Sequence, residues 1–428
     1  MAAQLYKTES GRLFHAGAVA IITVGLPARG KTHVSRSLCR YLRWLGVSTK
    51  VFSVGNYRRE RMGTIPNDWF DPRNVDAVTV REKIAEDCLD DMIQWLEHGG
   101  NQVGIYDGNN VTEERRRELY DKLTSHNINA LFIESICTKE EIVYANIRSV
   151  KISSPDYVGW DPEEAVKDYT HRIERLMEHY ETISDTGIPF VKLLNVGEKI
   201  IVNNVMGYLQ SRIVYYLMNL HVQPRKIYFA RTGRTDHIEC YKGDDELSEE
   251  GHVYAKALKE FVVDYRAHAK ASSGNSEEQE RPLAVWTSTR KKARQTAQPF
   301  ADAGFAVRQH SVLTQINPGE VDGMTLAEIK EHYPEELKRA RADPYRHRYP
   351  RAESYHDLAV RLEAVIMELE RETNDVLIIG HETVLKCLYA YLFDRPENDI
   401  PIISVPRGFL IEITPSAYGC KESRMKID

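Results

Sequence analysis

The sequence has no paired cysteines, no basic excess and no long apolar run, and each absence removes a class of function. Its six cysteines, Cys39, Cys88, Cys137, Cys240, Cys387 and Cys420, are scattered without a C-x-x-C pair. That spacing argues against a zinc site or a disulfide framework and for a reducing compartment. Against 57 Lys and Arg stand 63 Asp and Glu, a formal net charge of −6, which gives no support to nucleic-acid binding. No apolar run approaches the roughly 20 residues of a membrane helix. The opening residues, MAAQLYKTESGRLFHAG, lack the apolar stretch of a secretory signal. The expectation is a cytoplasmic protein with neither nucleic acid nor membrane as partner. Any charged substrate must then be held by local groups of arginine and lysine.

What is present is globular material in quantity. With 428 residues, 42% of them hydrophobic, the chain exceeds one ordinary core and predicts two or three domains. Apolar β-prone runs alternate with helical spacing: AVAIITVGL (18–26) before KTHVSRSLCRYLRWLG (31–46), then STKVFSVG (48–55). REKIAEDCLDDMIQWLEHGG (81–100) precedes NQVGIYDG (101–108), and NALFIESIC (129–137) precedes TKEEIVYANIRSV. Such alternation predicts a mostly parallel sheet with helices on both faces. A helix over 206–226 is expected to break at Pro224. A second alternating series starts at Ile227, with strands at PLAVWTS (282–288) and DVLIIGH (375–381) and an exposed loop over 271–282. The boundary between the two series falls near residues 222–226.

The strongest local signal is GLPARGKT, comprising Gly25, Leu26, Pro27, Ala28, Arg29, Gly30, Lys31 and Thr32. It fits G-x-x-x-x-G-K-S/T between a strand and a helix, the context that distinguishes a phosphate loop from an accidental Gly-rich turn. In such a loop backbone N–H groups wrap phosphates, the lysine reaches the β- and γ-phosphates and the hydroxyl ligates Mg²⁺. Asp107 ends an apolar strand, where the metal's acidic partner belongs; by itself it would be a turn residue before Gly108. Arg58, Arg59, Arg81 and Arg172 offer charge for an anionic acceptor, although scattered arginines usually lie on solvated faces. Lys151 follows a helical stretch at a place suited to closing over the transferring group. The residues alone define a P-loop kinase of a small anionic molecule.

The strings GLPARGKT, KVFSVGNYRRE, NNVTEERR, SPDYVGWDPEEAVKDYTHRI and QSRIVYYLMN closely resemble the kinase half of the 6-phosphofructo-2-kinase/fructose-2,6-bisphosphatase family, nearly collinearly over residues 18–225. The resemblance implies a P-loop α/β domain after a short segment, 1–17, that uses ATP and Mg²⁺ to phosphorylate fructose 6-phosphate at its 2-hydroxyl. By position it makes Gly25–Thr32 the phosphate loop, Asp107 the metal's acid, and Lys31 and Lys151 the charge stabilisers. It assigns Arg58, Arg81 and Arg172 to the sugar phosphate and Asn146 to the adenine. Two positions depart from the family pattern. Asn109 replaces a threonine and keeps hydrogen-bonding capacity for the substrate, while Leu176 replaces a tyrosine and does not. A homodimer is implied by the family alone.

The resemblance continues over 226–428 through VWTSTRKKARQTAQ, VLIIGHETVLKCLYAYL and TPSAYGC, implying a phosphoglycerate-mutase-like α/β domain of the histidine phosphatase superfamily. In that superfamily a neutral imidazole attacks phosphorus, a carboxylic acid protonates the leaving oxygen, and two arginines with a second histidine surround the phosphate. Arg231, Gly233 and His381 match. Thr232 stands where the nucleophilic histidine belongs, Arg234 where a glutamate usually follows, Lys292 where the second arginine belongs, and Asp322 where a longer acid is expected. A threonine hydroxyl stays protonated near neutral pH unless a base activates it, and lysine lacks arginine's fork. These losses predict an inactive phosphatase domain whose pocket takes fructose 2,6-bisphosphate or phosphate. Residual hydrolysis, or a sugar-phosphate-sensing or partner-binding role, stays open as the alternative. Lys226, Arg348 and Arg351 are further candidates for a sugar phosphate or, equally, surface charge.

Overall fold

The computed structural model describes residues 17–63, 69, 74–98, 100–153, 155–157, 159–220, 225–236, 244–272, 281–416 and 419–427. The chain divides into two compact units, Met1–Val222 and Gln223–Asp428.

The first unit begins with β1 (Val19–Val24), α1 (Lys31–Trp44), β2 (Thr49–Ser53), α2 (Val54–Met62) and α3 (Val75–Glu97). It continues with β3 (Val103–Asp107), α4 (Glu113–Ser125), β4 (Asn129–Ile136), α5 (Glu140–Ser153), α6 (Pro162–Met177), β5 (Phe190–Leu194), β6 (Lys199–Asn203) and α7 (Tyr208–Asn219). The sheet order is β2-β3-β1-β4-β5-β6. All neighbours are parallel except the edge pair β5–β6. Every residue of β1 is buried, as expected where helices cover both faces of a parallel strand. Ile22, Val24, Phe52, Leu89, Met92, Tyr106 and Phe132 form the core on one face.

Helix starts follow capping chemistry, since the first N–H groups need acceptors. Asn74 accepts from Ala77 N at 3.1 Å, and Asp161 accepts from Glu163 N at 2.9 Å with Pro162 opening α6. Two boundaries differ from the sequence reading. The run 48–55 is a shorter strand because Val54 already starts a helix that carries Arg58 and Arg59. The helix expected over 206–226 ends at Asn219, whose side-chain amide donates to the Tyr215 carbonyl at 2.8 Å. Pro224 lies outside the described residues.

The second unit contains β7 (Ile227–Arg231), α8 (Glu249–Ser272), β8 (Leu283–Thr287), α9 (Lys291–Asp302), β9 (Ala306–Gln309), α10 (Leu326–His332) and α11 (Pro334–Ala342). Then come α12 (Tyr355–Arg361), α13 (Glu363–Arg371), β10 (Asp375–Gly380), α14 (Glu382–Leu392), β11 (Phe409–Ser416) and β12 (Gly419–Lys426). The order is β12-β11-β7-β10-β8-β9. The four strands from β7 to β9 are parallel, and β11 runs antiparallel to both its neighbours. Tyr228, Leu258, Val285, Phe300, Leu377 and Ile379 build its core. The loop expected over 271–282 begins later, since α8 reaches Ser272; residues 273–280 lie outside the described part.

Both sheets place their chemistry by one rule. In an open α/β sheet, ligands bind beyond the carboxyl ends of parallel strands, near the point where the strand order reverses. In the first unit β1 sits between β3 and β4, and the phosphate loop leaves its carboxyl end. In the second, Arg231 ends β7, His381 follows β10 and Ser288 follows β8, on three adjacent strands.

Candidate active sites

The first site is built around the β1–α1 loop. Gly25 has φ 133°, and a Cβ there would meet the Ser135 carbonyl oxygen at 2.6 Å. Only glycine takes that backbone and leaves β4 room. Gly25 N donates to the Asn109 carbonyl at 2.9 Å, tying the loop to the turn after β3. Ala28 and Gly30 also take positive φ, and α1 starts directly at Lys31. The helix therefore presents free N–H groups and its positive end to the loop. Asn146, on α5, donates to the Ala28 carbonyl at 3.0 Å, and Arg29 donates to the Pro27 carbonyl at 3.3 Å.

Thr32 Oγ1 donates to Asp107 Oδ2 at 3.1 Å, so hydroxyl and carboxylate share one spot. Thr23 was not singled out from the sequence. Its hydroxyl donates to the Gly108 carbonyl at 2.8 Å and lies 3.4 Å from Asp107 Oδ1, joining the two strand ends. The signal was a lone hydroxyl inside the apolar run AIITVG. Lys31 is almost wholly buried and donates to the Leu26 carbonyl at 2.6 Å. Burial pushes its ammonium down to about 7, against the pull of Asp107. Burial likewise raises the Asp107 carboxyl, with Lys31 and the Thr32 hydroxyl opposing. A hydroxyl and one carboxylate are hard oxygen donors of the kind magnesium accepts beside phosphates, so these residues fit that ion.

Three of the four arginines, Arg58, Arg59 and Arg172, converge on an acid that was not singled out, Asp156. Arg58, buried on α2, pairs with Asp156, and Arg59 Nη1 lies 3.4 Å from Asp156 Oδ2. Burial would push the Asp156 carboxyl up, but the charge and hydrogen bond of Arg58 hold it below the usual carboxylate range. Arg172, on α6, adds its charge to the same group and to Lys31. Arg81, on α3, donates to the Trp69 carbonyl at 2.5 Å. Asn109 contributes its carbonyl to the loop. Leu176 lies near the end of α6. Lys151 falls in the last turn of α5, and its side chain lies outside the described part.

The second site gathers Arg231, Thr232, Ser288, Lys292 and His381. Thr232 is buried, and its N–H donates to the Gly380 carbonyl at 3.1 Å, prolonging the β7–β10 ladder. Gly233 N donates to Thr296 Oγ1 at 3.0 Å, and Ser248 N to the Arg234 carbonyl at 3.0 Å. A Cβ on Gly251 would meet that Arg234 carbonyl at 2.3 Å, which explains the glycine in the first turn of α8. The loop is thus held between α8 and α9. Ser288 Oγ and His381 Nε2 lie 2.8 Å apart, both buried. Burial pushes His381 down to about 3, helped by the charges of Lys292, Arg290, Arg361 and Arg231. Its imidazole is neutral throughout the physiological range.

The cations of this pocket already have partners. Arg231 Nη2 lies 2.7 Å from Glu382 Oε2, and Lys292 Nζ donates to Gln315 Oε1 at 2.9 Å. Neither Glu382 nor Gln315 was picked out from the sequence. Arg234 is exposed and pairs with Glu250 at 3.3 Å, while Arg294 is exposed on α9 and Asp322 is exposed after the turn Gly319–Val321. Three further basic candidates are also paired, and one of them lies at the far end of its strand. Lys226 precedes β7, about 16 Å from its carboxyl end at 3.2–3.4 Å per residue, and pairs with Glu412 at 3.0 Å. Arg348 and Arg351 lie 3.6 Å from Asp357 and 3.5 Å from Glu320. Among the described residues no helix is long and apolar enough to cross a membrane.

Fold and sites define a two-unit chain, a P-loop kinase unit followed by a unit of histidine-phosphatase architecture. The family description 6-phosphofructo-2-kinase matches residues 6–224, and histidine phosphatase superfamily (branch 1) matches residues 227–428. Isoform 1 of the human 6-phosphofructo-2-kinase/fructose-2,6-bisphosphatase is 42% identical over 406 residues, 94% of this chain and 83% of the relative. The enzyme of that name from Caenorhabditis elegans is 39% identical over 421 residues, 95% and 89% of the two chains. Isoform 4 from Rattus norvegicus is 40% identical over 407 residues, 94% and 83%. The chain belongs to the 6-phosphofructo-2-kinase/fructose-2,6-bisphosphatase family.

Proposed function

We propose that this chain is a cytoplasmic, ATP- and Mg²⁺-dependent kinase that makes fructose 2,6-bisphosphate from fructose 6-phosphate, and that its C-terminal unit no longer hydrolyses that product. The observation that carries the reading is the contrast between the two strand ends. Beyond β1 the hydroxyl of Thr32, the carboxylate of Asp107 and the ammonium of Lys31 stand together. Beyond β7 the nucleophile's position holds a buried threonine.

Residues 25–32 wrap the nucleotide phosphates, with Asn146 beside the base. Thr32 and Asp107 would hold magnesium, which would supply charge neutralisation for the nucleotide phosphates. Lys31 and Lys151 stabilise charge on the moving phosphoryl group. Arg58, Arg59, Arg81 and Arg172 hold the sugar phosphate, and Asn109 meets the sugar. No general base stands out for the 2-hydroxyl. That suits a loose phosphoryl-transfer transition state, in which positioning and charge stabilisation carry most of the rate.

In the second unit His381 is a poor base for Thr232, because its neutral imidazole already faces Ser288 and is held far below its ordinary basicity. We assign this unit a binding role, with fructose 2,6-bisphosphate or phosphate as ligand, and the whole chain a homodimer. The test is a pair of assays on the full chain. Mg-ATP with fructose 6-phosphate should give fructose 2,6-bisphosphate; its absence refutes the kinase reading. Fructose 2,6-bisphosphate labelled at the 2-phosphate should release no phosphate above the buffer rate. Release that disappears in His381→Ala refutes the loss of hydrolysis.

A further inference from the structure

The C-terminal pocket carries its own anion. Arg231 is held from two sides: Nη1 donates to the Val405 carbonyl at 3.2 Å, and Nη2 faces Glu382 Oε2 at 2.7 Å. The other oxygen, Glu382 Oε1, lies 2.9 Å from Lys386 Nζ, one helical turn on. Lys386 is itself fixed, largely buried and donating to the Pro401 carbonyl at 3.0 Å. The carboxylate therefore sits in a two-cation clamp at the first residue of α14, beside His381. The same hydrogen-bonding face of a guanidinium serves carboxylates and phosphoryl groups. A carboxylate and a phosphoryl group cannot both occupy it.

We propose that Glu382 is a resident counter-anion that excludes phosphoryl groups from Arg231. It deepens the reading of this unit as non-hydrolytic and rests on it, because it turns the family's phosphate seat into a self-neutralised ion pair. Burial alone would raise the Glu382 carboxyl, but Lys386 and Arg231 hold it below its ordinary value, so it stays ionised near neutral pH. Without that charge, Arg231 loses its acid beside a neutral imidazole, while Arg361 keeps Glu353 at 2.9 Å and Lys292 keeps the fields of Asp244 and Asp245. Arg407 adds a positive field at Arg231 and Lys292. Arg231 is then the cation left open to an outside anion.

The test is calorimetric titration of inorganic phosphate into the full chain, with the kinase site first filled by a magnesium complex of a non-hydrolysable ATP analogue. Glu382→Gln keeps the size of the side chain and removes the charge. It should bind phosphate at least about tenfold more tightly than the unaltered protein, about 1.4 kcal/mol. The gain should vanish in the double variant Glu382→Gln/Arg231→Met, which also subtracts phosphate bound anywhere else. Equal binding by the unaltered protein and Glu382→Gln overturns the proposal, as does a gain that survives loss of Arg231. Should Glu382→Gln be insoluble, Glu382→Ala gives the same comparison. Hydrolysis is read separately. Phosphate release by the unaltered protein would sink the non-hydrolytic reading without moving this comparison, and equal phosphate binding would sink the counter-anion without bearing on hydrolysis.

Discussion

Burial of Lys31 makes nucleotide binding a proton-uptake reaction. In the free site the ammonium is pushed down to about 7, yet the β- and γ-phosphates need it charged. Above that pH the protein must take up a proton as the nucleotide arrives. Apparent affinity then falls by up to about tenfold per pH unit, since one unit is about 1.4 kcal/mol. Between about pH 7.5 and about pH 8.5 the loss works out at about eightfold. The sign for folding is the opposite. A lysine held below its unfolded value binds its proton more weakly when folded, so this group's contribution to free-protein stability rises as pH climbs from about 7 towards the ordinary lysine range. The assay is calorimetry with ADP and no divalent metal, which leaves Asp107 out of the exchange, in two buffers of contrasting ionisation enthalpy. At about pH 8 the enthalpy difference should report close to one proton taken up, about 0.9 for a group titrating near 7. Lys31→Met should bind weakly and show neither uptake nor pH dependence. No buffer dependence in the unaltered protein, or affinity that rises with pH, refutes the reasoning.

Two further outcomes follow from the same unit. Gly25→Ala drives a Cβ to 2.6 Å from the Ser135 carbonyl at a φ of 133°; strain of about 1–3 kcal/mol should raise the KM for ATP and lower stability together, and an unchanged KM would show the loop has another way to close. Glu134 is fully buried on β4, accepting from Tyr180 at 2.5 Å, Thr182 at 3.2 Å and Ile183 N at 3.2 Å, with Lys192 at 3.3 Å; Glu134→Ala should cost about 3–5 kcal/mol in urea unfolding of the first unit, and a cost below about 1 kcal/mol would show that this cluster does not hold β4.

What the sequence made legible was local in sequence. GLPARGKT specifies a loop, a helix start and a lysine within eight consecutive residues, so its geometry follows from strand and helix alone. The residues that escaped notice meet their partners across long separations. Thr23 reaches the Gly108 carbonyl from another strand, Asp156 meets Arg58 from another element, and Glu382 meets Arg231 across two strand ends. No spacing rule encodes such pairs; they appear only when the strand order brings β1 beside β3 and β7 beside β10. Charge alone left three positions open. Lys226, Arg348 and Arg351 are as basic as Arg231, but Lys226 sits at the opposite end of its strand and each pairs with a nearby acid.

The nucleotide end of the first site and the C-terminal site handle charge differently, although Arg58 in the first unit is also paired with a resident acid, Asp156. At the kinase site burial works against both partners, lowering the Lys31 ammonium and raising the Asp107 carboxyl. Phosphate and a cation relieve both penalties at once, so binding energy is available to the transferring group. At the second site the protein has supplied the anion itself through Glu382, a hydrogen-bond acceptor for Lys292 through Gln315, and a partner for His381 through Ser288. A substrate phosphate entering there must displace interactions already made, and on the proposed reading it finds a threonine at the nucleophile's position. Restoring histidine at Thr232 would supply the nucleophile and leave Arg231 still paired. On this physical account recovery of hydrolysis needs the charge of Glu382 removed together with Thr232→His.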